Sequence, residues 1–231
     1  MKNSVITAKH LTKSYSRGSE KILALNDVSF QVPFGEYIAI VGPSGSGKTT
    51  LLNLIGCLDT PSSGIIAING TDVSCLSERE LVAVRRQNIG FVFQQFFLLP
   101  TLTVRENIAL PLLFSHTNHS AEKIENIMEM VGLSSRAEHL PHQLSGGEMQ
   151  RTAIGRALVN EPKIILADEP TGNLDSATAH KIIDIFQQLC ANKGLSLIIV
   201  THNMELACKA HGMITLRDGC VTEISDNLKD H

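Results

Sequence analysis

The feature that most constrains this chain is the pattern Gly-x-x-x-x-Gly-Lys-Thr at residues 42–49. It follows an apolar run, Tyr37 to Val41, that predicts a buried strand, and it precedes residues 49–55, which predict a helix. Glycines let main-chain N–H groups surround phosphate oxygens, and the start of a helix adds partial positive charge. The strand–loop–helix order therefore predicts a phosphate-binding loop, or P-loop, in an α/β fold and disfavours a merely flexible Gly/Ser turn.

Two side chains of the P-loop have predicted roles of their own. Lys48 is predicted to reach the β- and γ-phosphates and to act in catalysis, and Thr49 is predicted to offer its hydroxyl to Mg²⁺. The residues predicted to bind the nucleotide at this loop are Gly42, Pro43, Ser44, Gly45, Ser46, Gly47, Lys48, Thr49 and Thr50.

Composition limits the classes of protein that remain. The chain has 231 residues, which allows one large domain or two small ones. Hydrophobic residues make up 43%, enough to form a core. The formal net charge of −3 provides no basic field for a nucleic-acid partner. The five cysteines form no C-x-x-C pattern, which is typical of a reducing cytosol. No signal peptide and no apolar run of the ~18 residues that a membrane helix needs is present, so we expect a soluble chain that can still dock on a membrane protein.

Polar residues follow three further apolar runs that predict strands. Gln94 follows Ile89 to Phe93, the pair Asp168-Glu169 ends the run that begins at Lys163, and Thr201-His202 follows Ser196 to Val200. In open α/β sheets, ligands bind at the carboxyl ends of the strands, so these residues predict one crevice.

The acidic pair and the histidine each have an ordinary alternative. An acidic pair after a strand is usually a solvated turn, but beside a P-loop Asp168 suits Mg²⁺ and Glu169 suits the polarisation of a water molecule against the γ-phosphate. A lone histidine is usually structural, yet His202 stands in line with the other strand-end residues.

A second helix start has the chemistry of an anion site. Ser145 and Glu148 predict a capping box that opens a helix. Gly146 and Gly147 at its mouth carry no side chain that would block an anion. An ordinary capped helix would explain the serine and the glutamate but not the paired glycines.

Three local interpretations remain to be tested against the structure. Tyr15, predicted to stand at a strand end before a loop at residues 16–19, would either stack on a base or pack at an edge. The apolar stretch 96–99 would either lie under the next helix or form a partner-binding patch. Ser176 is predicted to cap the helix that follows it.

Taken in order along nearly the whole chain, these motifs resemble the ATP-binding subunit of an ABC transporter. The matching positions are Tyr15 (adenine-stacking aromatic), Gly42–Thr49 (Walker A), Gln94 (Q-loop), Leu144–Gln150 (signature), Asp168-Glu169 (Walker B and catalytic Glu), Asp175 (D-loop) and His202 (switch histidine). The loops at 91–96 and 167–175 resemble the branch that powers lipoprotein release (LolD-like) and macrolide export (MacB-like). Phe97 departs from that branch, which usually has Asn there, and Asn203 stands where Asp is common.

The resemblance implies a fold and a division of the chain. It implies an α/β P-loop NTPase fold of ABC type, with a RecA-like core, a small antiparallel β subdomain and an inserted helical subdomain. Residues 1–231 would form a single ATP-binding domain, with the core at about 1–94 and 161–231 and the helical subdomain at about 95–160.

The resemblance also implies an activity. The chain would be an ATPase that uses ATP and Mg²⁺, with Thr49, Gln94 and Asp168 at the metal and with Glu169, His202 and Lys48 in catalysis. Two chains would pack head to tail, each ATP lying between one P-loop and the other chain's signature residues. The remaining implied nucleotide contacts come from Tyr15, Gln94, Ser145, Gly146, Gly147 and Asp175.

The implied partner is an integral membrane permease held through residues Gln94 to Leu99, at the cytoplasmic face of the inner (plasma) membrane. Its cargo would be lipoprotein, macrolide, peptide or a similar amphipathic molecule. One alternative is a mechanical signalling ATPase of the FtsE kind, which moves a membrane partner without cargo. A DNA-repair or chromosome-structure ATPase is disfavoured, because that class needs a long coiled coil between its Walker motifs and none exists here.

Overall fold

A computed structural model describes residues 4–18, 20–114 and 121–226 of the protein. The strands in this part of the chain are β1 (Ser4–Arg17), β2 (Glu20–Pro33), β3 (Tyr37–Val41), β4 (Ser63–Ile68), β5 (Thr71–Asp72), β6 (Ile89–Phe93), β7 (Ile164–Asp168), β8 (Ser196–Val200), β9 (Gly212–Arg217) and β10 (Cys220–Asp226). The α-helices are α1 (Lys48–Ile55), α2 (Glu78–Asn88), α3 (Val104–Ala109), α4 (Ala121–Met130), α5 (Gly146–Leu158), α6 (Ser176–Lys193) and α7 (Met204–Ala207).

A six-stranded sheet forms the centre of the molecule, in the order β10-β9-β3-β8-β7-β6. Its strands are parallel except for β10, which pairs antiparallel with β9. Side chains alternate across a strand, so Tyr37 and Ala39 enter the core on one face while Ile38 and Ile40 enter the core on the other. Burial on both faces explains why these strands are continuous apolar runs in the sequence.

Each face of the sheet has its own cover. Apolar side chains of α4, α5 and α6, among them Met128, Ile154 and Phe186, fill the core on one face. The other face packs on α1, through residues such as Leu51 and Ile55, and on a four-stranded antiparallel sheet of order β2-β1-β4-β5. The expected P-loop NTPase fold with an added antiparallel sheet is therefore confirmed.

Between β6 and β7 the described chain contains helices and no strand. Three 3₁₀ turns, Leu110–Phe114, Ser134–Arg136 and Pro141–Gln143, accompany α3, α4 and α5 there. Among the described residues, no helix combines the length and the apolar character needed to cross a membrane.

Two local predictions are wrong. The first half of the loop expected at residues 16–19 is strand, since β1 continues to Arg17 and Tyr15 pairs with Ile22 of β2. Gly18 is a turn, and Ser19 lies outside the described residues. The cap of α6 is Asp175 and not Ser176, because the Asp175 carboxylate accepts a hydrogen bond from the Thr178 main-chain N–H. A carboxylate reaches the first-turn N–H groups better when it stands one residue before the helix.

Candidate active site

The carboxyl ends of four adjacent parallel strands, β3, β8, β7 and β6, lie side by side. A cleft of about 520 Å³ opens at this edge of the sheet. It is bordered by the P-loop, by two strand-end carboxylates, by the switch histidine and by β2, specifically by Ile22, Leu23, Ala24, Gly42, Ser44, Gly45, Gly47, Lys48, Thr49, Thr50, Asp168, Glu169, Val200 and His202. The structure thus brings together the P-loop and two of the three predicted strand-end sites.

The P-loop needs glycine at Gly47, where it passes close to the main chain of β2. At Gly47, φ is +100°, and a Cβ would lie 2.5 Å from the Ala24 carbonyl oxygen. No side chain caps the first turn of α1. Its first N–H groups therefore donate to no side chain of the described residues and can donate to a bound anion. The Lys48 ammonium donates to the carbonyl oxygens of Gly42 and Pro43, at 2.8 Å each, which places the cation at the loop. This arrangement suits a phosphate chain.

Thr49 and Asp168 supply the oxygen donors that Mg²⁺ prefers. Burial raises the pKa of Asp168, the neighbouring Glu169 raises it further, and Lys48 lowers it. A bound divalent cation would instead lower the pKa of Asp168, because its charge would compensate the two adjacent carboxylates. In the described residues no group of three or more His, Cys, Asp or Glu side chains could hold a metal. Mg²⁺ commonly binds through one or two carboxylates together with phosphate oxygens and water, and the Thr49 hydroxyl and the Asp168 carboxylate suit a site of that kind. The donor set therefore fits Mg²⁺ brought by a nucleotide.

Glu169 is held from three directions. Its carboxylate lies 2.8 Å from His202 Nδ1, it accepts a hydrogen bond from the Thr201 hydroxyl at 3.4 Å, and its N–H donates to the Val200 carbonyl at 2.9 Å. Its φ of +46° lies in the left-handed region, which is strained for a residue with a side chain. These contacts hold the carboxylate beside the P-loop, where a general base for water would stand.

Gln94 lies beside this cleft but does not border it. Its side-chain Nε2 donates to Asn173 Oδ1 at 3.1 Å, and Asn173 Nδ2 donates in return to the Gln94 carbonyl at 2.9 Å. Sequence reasoning did not single out Asn173. Its position after β7 indicates a contact with Gln94 only when β7 is known to lie next to β6.

Tyr15 stands outside the residues that border the cleft, with 40% of its surface exposed. Its hydroxyl donates to Asp59 at 2.9 Å, and the Lys13 ammonium lies 4.9 Å from its ring centroid. Lys13 in turn donates to Asp59 at 2.6 Å. Burial raises the pKa of Tyr15, and its bond to Asp59 raises it further. The ring is thus fixed in place by Lys13 and Asp59, two residues that the sequence did not reveal, next to the cleft residues Ile22 and Thr50.

The signature residues do not border their own chain's cleft. The predicted capping box is present, since the Glu148 carboxylate accepts from the Ser145 N–H and the Ser145 Oγ accepts from the Glu148 N–H. The bonds that the carboxylate accepts from the Ser145 N–H, from Arg136 and from the Ser145 hydroxyl lower the pKa of Glu148 to about 2. Gly147 is buried, and a Cβ there would lie 2.6 Å from Thr178 Cγ2. Its lack of a side chain therefore serves the contact between α5 and α6 as well as the helix mouth.

Helix α5 also contacts the loops that follow β7 and β6, through Gln150 and Arg156, and the sequence analysis predicted neither contact. The buried Gln150 donates to the Pro170 carbonyl at 2.6 Å. The Arg156 guanidinium donates to the carbonyl oxygens of Phe96 and Phe97, and burial lowers its pKa. The sequence offers one indication of these contacts, which is that Gln150 and Arg156 are polar residues within a helix that packs on the core.

The stretch 96–99 is not buried under the next helix, since Phe97 and Leu99 are exposed and Phe96 and Leu98 are half-buried. Phe97 is 57% exposed and Leu99 is 42% exposed, although the Phe97 ring packs edge-on against Phe93 with ring centroids 5.3 Å apart. A groove of about 410 Å³, which Phe97 borders together with Phe93, Pro111 and Arg156, opens beside it.

Comparison with known proteins places this site in a family. The family described as "ABC transporter" matches residues 25–172. The lipoprotein-releasing system ATP-binding protein LolD of Bordetella pertussis is 44% identical, over 93% of this chain and 94% of its own. The macrolide export ATP-binding/permease protein MacB of Bdellovibrio bacteriovorus is 46% identical over 94% of this chain, which spans 33% of that longer protein.

A solved structure matches at the level of the fold. The ATP-binding cassette MJ0796, in a dimeric post-hydrolysis state bound to ADP and Pi, superposes with a TM-score of 0.88 at 43% identity. The match covers 98% of this chain and 100% of that one.

Proposed function

Since the chain belongs to the ABC transporter family as an ATP-binding subunit and ATPase, we propose that it drives a membrane partner by closing into a head-to-tail homodimer around ATP. Each ATP would lie between the P-loop of one chain and Ser145, Gly146 and Gly147 of the other. Two features support this arrangement: the signature residues stand away from their own cleft, and the MJ0796 cassette forms a dimer.

The observation that carries the hydrolytic assignment is the contact between Glu169 and His202 beside the P-loop. The Glu169 carboxylate would accept a proton from the water that attacks the γ-phosphate, and ADP would leave as the P–O bond breaks. The His202 Nδ1, 2.8 Å away, holds that carboxylate in place. Lys48 would neutralise charge that develops on the phosphate oxygens.

Mg²⁺, when bound, would supply positive charge that offsets the charge of the phosphates. Thr49 and Asp168 would hold it from the protein side, with Gln94 as a third donor. Tyr15 would face the adenine from the rim of the cleft, and Asp175 would approach the partner chain from the D-loop, although its carboxylate also caps α6.

The partner would be an integral membrane permease at the cytoplasmic face of the inner (plasma) membrane. The exposed Phe97 and the groove beside it support contact through residues Gln94 to Leu99. The names of the LolD and MacB relatives favour an amphipathic cargo such as a lipoprotein, a macrolide or a peptide over a signalling role without cargo.

Glu169→Gln tests the hydrolytic role. The amide cannot accept the proton, so ATP binding should persist while turnover falls at least a hundredfold. ATP should then hold a dimer long enough to be seen on a sizing column. Glu36→Gln is a matched control, because Glu36 pairs with His211 at the same 2.8 Å distance and the same 20% side-chain exposure but outside the cleft. Near-normal turnover by Glu169→Gln would remove Glu169 from this role.

A further inference from the structure

We propose that Asn173 is a positioning residue for Gln94: it determines which end of the Gln94 side-chain amide is available to the metal and the nucleotide. The inference rests on the proposed role of Gln94 at Mg²⁺. It assigns a function to a residue of the loop 167–175 to which the sequence analysis gave no role of its own.

The two hydrogen bonds between these residues permit only one orientation of both amides. The Gln94 main-chain carbonyl can only accept, so Asn173 must direct its nitrogen, Nδ2, toward it, as observed at 2.9 Å. The oxygen of Asn173 then faces the Gln94 side chain. Asn173 Oδ1 can only accept a hydrogen bond, so Gln94 must direct its donor, Nε2, toward it, as observed at 3.1 Å.

The consequence for Gln94 is chemical. A carboxamide binds Mg²⁺ through its oxygen and never through its NH₂ group. With Nε2 directed at Asn173, Oε1 becomes the other end of the amide. Without Asn173 the amide would turn freely and would present the wrong end to a cation for part of the time. Outer partners that fix a ligand in this way commonly account for about tenfold or more in metal affinity.

The loop that carries Asn173 is itself fixed at both ends. The Gln150 side chain holds the Pro170 carbonyl at 2.6 Å, and Asp175 caps α6. Gly172, next to Asn173, lies so close to Gln94 that a Cβ would stand 2.7 Å from Nε2. A side chain at Gly172 would therefore push the Gln94 amide aside, and this gives a second, independent way to disturb the pair.

The first test is Asn173→Ala, measured by calorimetry with ATP in excess Mg²⁺ and again in EDTA. We expect about tenfold weaker binding of Mg²⁺-ATP and metal-free ATP binding within twofold of the wild type. Asn126→Ala makes the same chemical change on the exposed surface of α4 and should alter neither affinity. An equal loss in Mg²⁺ and in EDTA, or a gain in Mg²⁺-ATP affinity, would overturn the proposal.

Gly172→Ala should reproduce the Mg²⁺-specific loss, because the three atoms nearest to the added Cβ all belong to the flexible Gln94 side chain. Unchanged Mg²⁺-ATP affinity in this variant would also contradict the proposal. The variant serves as the test if Asn173→Ala proves unstable.

A double-mutant cycle separates this inference from the function on which it rests. Gln94→Ala should itself weaken Mg²⁺-ATP binding, and Asn173→Ala should then add nothing, because it acts only through Gln94. If Gln94→Ala has no Mg²⁺-dependent effect, the metal role of Gln94 fails and this proposal fails with it. If Gln94→Ala has that effect while Asn173→Ala does not, or if the two losses multiply, only the positioning role is wrong.

Discussion

At the scale of single residues, Lys48 and Asp168 show how the cleft balances charge. The Lys48 ammonium donates to two P-loop carbonyls, and it also lowers the pKa of Asp168, which burial and Glu169 raise. The one cation that borders the cleft among the described residues thus stands where the phosphates of ATP would need it.

Lys48→Ala should therefore weaken ATP binding even without metal. A hydrogen bond to a charged group contributes roughly 1.5–3 kcal/mol, which corresponds to about 10- to 150-fold in the dissociation constant. Calorimetry in EDTA would measure the loss. Lys163→Ala, at an exposed lysine before β7, is the matched control and should bind ATP normally. Normal affinity in Lys48→Ala would place the phosphates elsewhere.

At the scale of elements, the segment after β6 is held in an uncommon conformation. Phe96 and Phe97 both have positive φ, at +51° and +48°, and two successive residues with side chains rarely adopt this region. Arg156 of α5 donates to both of their carbonyl groups. The contact connects the signature helix to the main chain of Phe97, whose side chain is exposed, so a partner that moved this segment would act on α5.

Phe97→Ala should affect the partner more than the fold. An edge-on aromatic pair contributes about 0.5–1.5 kcal/mol to stability, whereas removal of a fully buried Phe costs about 3–5 kcal/mol. We expect unchanged ATP affinity and a loss of about 0.5–1.5 kcal/mol in stability. Association with the proposed membrane partner should weaken at least tenfold. Denaturant unfolding and co-purification would measure the two effects, with Leu113→Ala as a control at another exposed apolar residue. A loss of about 3–5 kcal/mol in the free energy of unfolding would show that Phe97 belongs to the hydrophobic core.

At the scale of the whole molecule, the separation of the signature from its own cleft suggests that the working site needs two chains. The burial of Gly147 against Thr178 makes it a poor place for a test, because any side chain there would disturb α5 and α6. Gly146 is better, since a Cβ would meet only Leu174 Cδ2 at 3.3 Å and the Asn173 carbonyl at 3.9 Å.

Gly146→Asp places a carboxylate at the helix mouth and should prevent ATP-dependent dimerisation by repelling the partner's γ-phosphate, while monomers still bind ATP. Mixing this variant with Lys48→Ala should restore one competent site, formed by the intact P-loop of one chain and the intact signature of the other. Light scattering and ATPase assays of each variant alone and of the mixture would measure this. A mixture as inactive as its components would mean that both motifs act within one chain.

The sequence by itself determined most of the elements, and it predicted the P-loop, Asp168, Glu169 and His202, which border the cleft. The P-loop, the buried strands Ile89–Phe93 and Ser196–Val200 and the Ser145 cap follow from contiguous residues, because hydrophobic period and capping chemistry act over a few positions. The order of the motifs also identified the family.

Only the tertiary structure decided which side chains meet. Gln94 and Asn173 are 79 positions apart, and their contact depends on β6 lying next to β7. The same is true of Arg156 and the Phe96 carbonyl, 60 positions apart. Strand order results from packing the whole chain into one core. A local pattern therefore cannot encode these contacts, and the partners of Gln94 and Phe96 became visible only in the folded protein.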